Sequence, residues 1–248
     1  MDIHDEQLEQ WEREVLVDIE RDAAELSYHN DQHTREVIAR VKNLASHSKL
    51  SPQQQKLLVL AALFHDYGHA GQTIRQTSPK KDIHGEDLSN EEFAARKARE
   101  KLGASLSVGQ IIRLQEMILR TSFGQNVQGS PHYRDYAPKE DQDTLLALAD
   151  VGAFMEKSFE QWVEESLRVL VESAALPQDF AAWKKNRTGF LGGYVRSKLE
   201  AVKHQLDEKY YQELAEKLNA MIQKIDTELE STVVNLGGSV VGGLLHYE

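Results

Sequence analysis

The chain of 248 residues carries a formal net charge of -11, an apolar share of 40% and no cysteine. This length suits one large domain or two small ones. Because cysteine is absent, the chain can form neither disulfides nor thiolate metal sites, and any metal must be bound by nitrogen and oxygen atoms. The acidic charge disfavours nonspecific binding of DNA or RNA. No nucleic-acid partner is therefore expected.

The sequence contains no secretory leader pattern and no apolar run of the roughly 20 residues that a membrane span needs. We therefore expect a cytoplasmic protein without a membrane partner. Apolar residues recur at spacings of three and four almost throughout, and only five prolines interrupt them. This periodicity predicts helices. The expected fold class is all-α, a single-domain helical bundle without internal repeats.

Three helices are predicted in the first quarter of the chain. One is expected over 6–26 and a second over about 37–44, each with an apolar stripe. Ser51 and Pro52 form the N-cap and first position typical of a helix start, and the apolar helix that follows is expected to run to Phe64.

Further amphipathic segments follow in the second half. The predicted helices cover about 108–121, 141–154, 159–174, 180–203 and 206–230. Gly192 and Gly193 are expected to kink the fourth of these. The fifth is highly charged on one face, which is typical of either a packing helix or the interface of a homodimer.

Two polar stretches, 70–88 and 124–139, lack periodicity and are predicted to be loops. The core of the domain is expected over about 28–202, followed by a C-terminal amphipathic helix over 203–230. Residues 231–248 form a tail rich in glycine and valine, which is either a disordered end or an inserted segment.

Four histidines form two clusters whose members are four residues apart, His29 with His33 and His65 with His69. On a helix each pair would point the same way. The second cluster also contains Asp66. Imidazole and carboxylate are the ligands that suit borderline and hard divalent cations.

The position of the acidic residues strengthens this interpretation. The apolar helix that ends at Phe64 leads directly into His65 and Asp66, and the apolar run 145–149 leads likewise into Asp150. Polar groups placed against a core are tolerated mainly when they are paired or bind metal. Any one histidine taken alone is more often a surface residue or a hydrogen-bonded core residue, but the set as a whole favours a metal site.

Five separated stretches combine these residues with aromatic and apolar neighbours. They are Tyr28-His29-Asn30 with His33, Ala61 to Asp66 with His69 and Gly71, Met117 to Thr121, Ala149-Asp150, and Thr188 to Leu191. In this order they resemble the HD superfamily and, within it, the catalytic domain of the class I cyclic nucleotide phosphodiesterases. The resemblance covers about residues 28–199, and its most specific part is His-x3-His combined with His-Asp-x2-His. It implies an HD-type helical bundle with a metal site in its core.

The resemblance also implies a ligand set and a reaction. His33, His65, Asp66 and Asp150 would bind a first divalent ion, and Asp66 would bridge to a second. Zinc, magnesium or manganese is expected, with iron as an alternative. The implied enzyme is a metal-dependent phosphoric ester hydrolase whose attacking hydroxide is shared by the two ions. Its substrate would be a small phosphorylated or cyclic nucleotide-like molecule.

Three further residues receive roles from the same resemblance. His29 would be the general acid that protonates the departing oxygen. His69 would lie in the outer shell near the second ion. Glu91 would orient the site, although Glu92 is an alternative. Ser89 and Glu92 also form the pattern of a capping box, which predicts that another helix starts at Ser89.

The expected substrate pocket departs from the family pattern. Tyr28 and Phe190 correspond to positions beside the substrate, and Phe190 would stack on a base. The family has a glutamine three residues before this phenylalanine, whereas this chain has Arg187. Arginine carries a fixed charge and accepts no hydrogen bond, so it favours an extra phosphate or carboxylate over a neutral base edge.

Two other readings of the same residues stay open. Some HD enzymes use additional histidines to hold two irons for oxygen chemistry, and His84 and His132 are candidates, although loop histidines are usually solvated. Alternatively, the chain is a non-catalytic nucleotide-sensing module that retains the site mainly for structure.

Overall fold

The structure is a computed structural model that describes residues 2–69, 88–122 and 140–247. Most of the two segments expected as loops, including His84 and His132, lies outside the described residues. Within these ranges the chain is mainly helical, which confirms the all-α fold class.

The described elements run from α1 to α10, with one short strand before α8 and two after α10. The α-helices are α1 (Asp5–Asp22), α2 (Asp31–Ser46), α3 (Pro52–Phe64), α4 (Asn90–Leu102), α5 (Val108–Leu119), α6 (Asp141–Asp150), α7 (Phe159–Glu172), α8 (Phe180–Gly189), α9 (Arg196–Ala201) and α10 (Glu208–Asn235). A 3-10 turn covers Ala153–Met155 and a π-helix covers Phe190–Val195. The strands are β1 (Gln178–Asp179), β2 (Ser239–Val241) and β3 (Leu244–His246).

Helices α3, α4, α5 and α7 begin with the same side-chain arrangement. A serine accepts a hydrogen bond from the backbone N–H three residues on, and the side chain at that position accepts one from the N–H of the serine. The pairs are Ser51 with Gln54, Ser89 with Glu92, Ser107 with Gln110 and Ser158 with Gln161. These capping boxes satisfy N–H groups that a helix start leaves unpaired, and they confirm the predicted starts at Ser51 and Ser89.

Helix α3 lies at the centre of the bundle. Every residue from Leu57 to Phe64 is buried, and the helix packs against α1, α2, α4, α5 and α6. A helix that is apolar on all sides is stable only when other helices surround it. His65 and Asp66 directly follow the buried end of α3 and therefore lie inside the bundle.

The first histidine cluster lies where the first two helices meet, as expected, although the bounds of both helices differ from the prediction. Helix α1 ends at Asp22 rather than near residue 26, and His29 lies in the connection before α2. Asn30 is the N-cap of α2, and its side chain accepts a hydrogen bond of 3.2 Å from the N–H of His33. His29 and His33 are therefore not on one helix, because the asparagine cap separates them.

The C-terminal region also differs from the prediction. Helix α10 extends to Asn235, and the residues after it form a β-hairpin rather than a disordered end. Strand β3 pairs antiparallel with both β2 and β1, and its Leu245 is fully buried. Gly242 and Gly243 have positive φ angles at the hairpin turn, a conformation that glycine adopts without strain.

Helix α10 packs on α7, α8 and the π-helix of the same chain, which favours the packing-helix interpretation over a dimer interface. One hydrophobic cluster extends from Ile3 before α1 to Leu245 in β3. Among the described helices, none combines the length and apolar character needed to cross a bilayer. The single domain, the homodimer and the cytoplasmic location stay predictions.

Candidate metal centre and adjoining cavity

Four side chains converge where α2, α3 and α6 meet. His33 lies in the first turn of α2, His65 and Asp66 follow α3 directly, and Asp150 is the last residue of α6. One ligand atom from each lies within 4.8 Å of the others. His33 Nε2 is 3.2 Å from Asp150 Oδ1, and His65 Nε2 is 3.1 Å from Asp66 Oδ2. We call this group the primary cluster.

The orientation of the primary cluster suits a metal ion. His65 Nδ1 donates a hydrogen bond of 2.7 Å to the carbonyl oxygen of Ala62, so its Nε2 faces the cluster. Asp66 Oδ2 is buried. His65 Nε2 lies 3.1 Å from it, but no described residue meets the geometry of a hydrogen bond to this oxygen. A buried acceptor of this kind needs a partner. Two imidazole nitrogens and two carboxylates are a donor set that divalent cations accept, so the residues fit the expected metal.

Electrostatics within the primary cluster lead to the same conclusion. Burial opposes ionisation of Asp66 and Asp150, but the neighbouring imidazoles hold the pKa of both carboxyl groups well below the usual range. Burial disfavours the charged form of His65, yet the charge of Asp66 raises its pKa well above the ordinary value. The two carboxylates, which are only slightly exposed, therefore call for compensating positive charge, which protons or a cation can supply.

A second cluster adjoins the first and consists of His29, His69 and Glu172. His29 Nδ1 is hydrogen-bonded to Glu172 Oε1. Glu172 Oε2 accepts hydrogen bonds from the backbone N–H groups of Tyr28 at 2.8 Å and His29 at 3.0 Å. The rings of His29 and His69 stack at 4.0 Å between centroids. We call this group the secondary cluster.

The pKa values in the secondary cluster move in opposite directions. Burial raises the pKa of Glu172, but the bonds from His29 and from the two backbone N–H groups outweigh it and lower the value to about 2. Burial lowers the pKa of His29, whereas the hydrogen bond to Glu172 and the charge of Asp66 raise it, with a net increase. The contact with the Glu172 carboxylate therefore favours the imidazolium form of His29.

Both clusters border a cavity of about 230 Å³. Its lining includes His29, Asp150, Tyr28, Arg187 and Phe190. Tyr28, Arg187 and Phe190, which were predicted to contact substrate, therefore line the same cavity. Asp150 of the primary cluster and His29 of the secondary cluster line it too. An apolar cavity with a few convergent polar groups is the usual form of a small-molecule site.

One wall of the cavity comes from an irregular helical segment. The π-helix begins at Phe190 and contains Gly192 and Gly193, at the point where a kink was predicted. Phe190 stacks on Tyr194 at 5.8 Å between ring centroids. Single π turns within helices occur frequently at functional sites.

Residues 30–155, just over half of the chain, match the HD domain family. The chain belongs to the HD domain family. HD domains bind divalent metals, and the primary cluster lies wholly within the matched residues. A search of curated protein sequences gave no match for this HD-domain chain.

Among solved structures, the fold is similar to the crystal structure of the phosphodiesterase domain of the RhoPDE fusion protein from the choanoflagellate Salpingoeca rosetta. The two share 18% sequence identity with a TM-score of 0.55, over 94% of this chain and 92% of that chain. At this low sequence identity, the similarity shows a shared fold and nothing about activity.

Sequence reasoning missed one member of the secondary cluster of this HD-domain protein. Glu172 ends α7 and follows the family match by 17 residues. Its only sequence signal is a carboxylate at the end of an amphipathic helix, a position that is usually solvated. Glu91 lies in the first turn of α4, outside both clusters, and Glu92 is used in the cap of Ser89. An orienting role for Glu91 stays a prediction.

Proposed function

We propose that this HD-domain protein is a metal-dependent phosphohydrolase that cleaves a phosphoester bond of a small, nucleotide-like substrate. The observation that carries the proposal is the convergence of four ligand atoms from His33, His65, Asp66 and Asp150 at the edge of a cavity. Membership of the HD family supports it, and so does the similarity in fold to a phosphodiesterase domain.

The primary cluster would hold the first of two divalent ions, with Asp66 also directed at the second. When bound, such ions polarise and neutralise the phosphoryl group and lower the pKa of water at the site. The chain contributes the positions of the ligands. The carbonyl of Ala62 fixes the ring of His65, because a ligating imidazole is oriented by the hydrogen bond of its other nitrogen.

His29 would act as the general acid. Its Nδ1 is held by Glu172, so Nε2 is the atom left to donate a proton to the departing oxygen. The stacked ring of His69 limits rotation of His29, and its Nδ1 lies 4.0 Å from Glu172 Oε1. The pair of His29 and Glu172 thus supplies a proton at the cavity wall.

Tyr28 and Phe190 would contact the non-reacting part of the substrate. Both line the cavity, and Tyr28 also packs on His33 at 4.6 Å between ring centroids. An aromatic wall next to a metal site suits a substrate with a flat ring, because stacking adds to area burial.

The test is hydrolysis of bis(4-nitrophenyl) phosphate and of cyclic nucleotides by purified protein with Mn²⁺ or Mg²⁺. We expect metal-dependent turnover that His65→Ala and Asp66→Ala each abolish, since each change removes a metal ligand. His4→Ala is the matched control, because His4 is exposed and distant from both clusters in the chain. Turnover that survives both ligand changes would contradict the proposal.

One observation favours a second candidate, a di-iron enzyme of oxygen chemistry. The secondary cluster offers two imidazoles and one carboxylate, a set that also suits iron. Elemental analysis of freshly purified protein separates the candidates. Near-stoichiometric iron without phosphoester turnover would favour the second, and manganese-dependent or magnesium-dependent hydrolysis would favour the first.

A further inference from the structure

Arg187 is a cation without a carboxylate partner in the described part of the chain. It lines the cavity, and its Nε is buried without a hydrogen-bond partner among the described residues. The Nη2 group donates a hydrogen bond of 2.6 Å to the Asn186 side chain, a neutral acceptor. Burial lowers the pKa of Arg187, which reflects the loss of solvent around the guanidinium.

Other inward-facing arginines of the chain differ from Arg187. Arg40 forms an ion pair of 2.8 Å with Glu156, and Arg113 forms one of 2.6 Å with Asp143. These pairs follow the general rule that a buried charge is compensated by an opposite charge. Arg187 contacts the Phe190 ring but has no opposite charge beside it among the described residues, so an anion from outside the chain would complete its surroundings.

Helix geometry does not account for the residue. A cation in the last turn of a helix is often stabilised by free carbonyl groups. Here α8 passes without a break into the π-helix, and the N–H of Phe190 already bonds to the carbonyl oxygens of Asn186 and Arg187. The end of α8 therefore offers little reason for a positive charge at this position.

The surroundings of Arg187 specify where a partner would lie. Its guanidinium carbon lies over the Phe190 ring, 5.2 Å from the ring centroid, and this cation–π contact holds the side chain at the cavity wall. Glu165 also lines the cavity, but its carboxylate is ion-paired with Lys157. The planar fork of arginine binds phosphate and carboxylate groups through two parallel hydrogen bonds.

We propose that Arg187 forms a second anion subsite in the cavity, so that the preferred substrate carries a phosphate or carboxylate group in addition to the scissile phosphoester. That the second anion belongs to a substrate rests on the proposed function. Binding of an anion at Arg187 does not depend on that function, and it can be tested without turnover.

The test uses acyclic adenine nucleoside phosphonates, whose carbon–phosphorus bond resists hydrolysis. One probe has a single phosphonate, a second has two, and a third has one phosphonate and one carboxylate. Affinities are measured by isothermal titration calorimetry on the full chain with Mn²⁺ present. The two-anion probe whose affinity exceeds that of the single-anion probe by the larger factor identifies the preferred second group.

We expect at least one two-anion probe to bind wild type about tenfold or more tightly than the single-anion probe, as for hydrogen bonds to a charged group. Arg187→Gln should bring this ratio close to one, and Arg187→Lys should retain part of it because the charge remains. Arg196→Gln is the matched control and should keep the wild-type ratio, since Arg196 bonds to Asn219 and does not line the cavity.

A wild-type ratio near one for both two-anion probes would overturn the proposal, and so would a ratio that Arg187→Gln leaves intact. Thermal unfolding of each variant checks the fold, and Arg187→Lys remains available if Arg187→Gln fails to fold. Failure of the proposed function is a separate result, because bis(4-nitrophenyl) phosphate carries no second anion. Its Mn²⁺-dependent hydrolysis therefore does not depend on the subsite.

Discussion

At the residue scale, the arrangement of greatest consequence is the contact between His29 and Glu172. It joins the connection before α2 to the end of α7, and two backbone N–H groups hold the carboxylate in place. A fixed negative charge next to an imidazole favours the imidazolium. Glu172 is thus proposed to be a positioning residue that keeps His29 both oriented and protonated.

Glu172→Gln is expected to shift the pH dependence of hydrolysis. The imidazolium donates the proton, so activity that requires it is present below the pKa of His29 and is lost as pH rises through that value. Because the charge of Glu172 raises this pKa, its removal should move the alkaline limb of the kcat profile to lower pH. The measurement is kcat against pH for wild type and variant.

Two further variants complete this experiment. His29→Asn should lower kcat by about 10²- to 10⁴-fold, the usual contribution of a general acid. Glu164→Gln, on the same helix and paired with Arg168 at the surface, should leave the profile unchanged. An alkaline limb that Glu172→Gln does not move would show that Glu172 has no part in the protonation of His29.

At the element scale, the C-terminal hairpin supports the segment that forms the cavity wall. Strand β3 pairs with β1, and β1 directly precedes α8, which carries Arg187. The N–H of Phe180, the first residue of α8, donates a hydrogen bond of 2.9 Å to the carbonyl of Gly243 in the hairpin turn. The hairpin therefore fixes the start of α8.

Leu245→Ala is expected to destabilise the protein by about 2 to 5 kcal/mol, because the side chain is fully buried and its removal leaves a cavity. The matched control is the neighbouring Leu244→Ala. Leu244 is 42% exposed, so its loss should change stability by less than about 0.5 kcal/mol. Chemical denaturation measures both, and equal effects would contradict the packing of the hairpin.

At the scale of the whole molecule, the primary cluster places two half-buried carboxylates where three helices meet. Asp66 and Asp150 repel each other, yet the neighbouring imidazoles lower the pKa of Asp150 in spite of this repulsion, so the site already favours positive charge beside the carboxylates. A divalent ion bound there would link α2, α3 and α6. Metal binding should therefore stabilise the entire fold, because an ion that binds the native state alone shifts the unfolding equilibrium.

Mn²⁺ or Zn²⁺ should raise the free energy of unfolding by about 2.7 kcal/mol when the free ion is at 100 times its dissociation constant. A chelator should reverse the effect. Asp66→Ala should remove the metal-dependent shift in the melting temperature, and His4→Ala should keep it. A shift of equal size in Asp66→Ala would place the ion elsewhere. The measurement is thermal unfolding with and without metal.

The residues of the primary cluster could be predicted from the sequence, because local signals mark the helix ends that carry them and the resemblance to the HD superfamily implies the full set. His65, Asp66 and Asp150 each stand where an apolar helix ends, and His33 follows an asparagine cap. The predicted helix starts at Ser51 and Ser89 are correct for the same reason, since a capping box spans only four residues. The predicted end of the first helix near residue 26 is wrong, because α1 ends at Asp22.

The sequence by itself determined the fold class and the helix starts at Ser51 and Ser89, because periodicity and capping act over a few neighbouring residues, and its resemblance to the HD superfamily implied the four residues of the primary cluster. Only the tertiary structure decided that Glu172 joins His29, that the tail forms a hairpin on β1, and that Arg187 faces the cavity without a carboxylate among the described residues. These contacts join segments far apart in the chain. The packing of the whole bundle determines them, and no local pattern does.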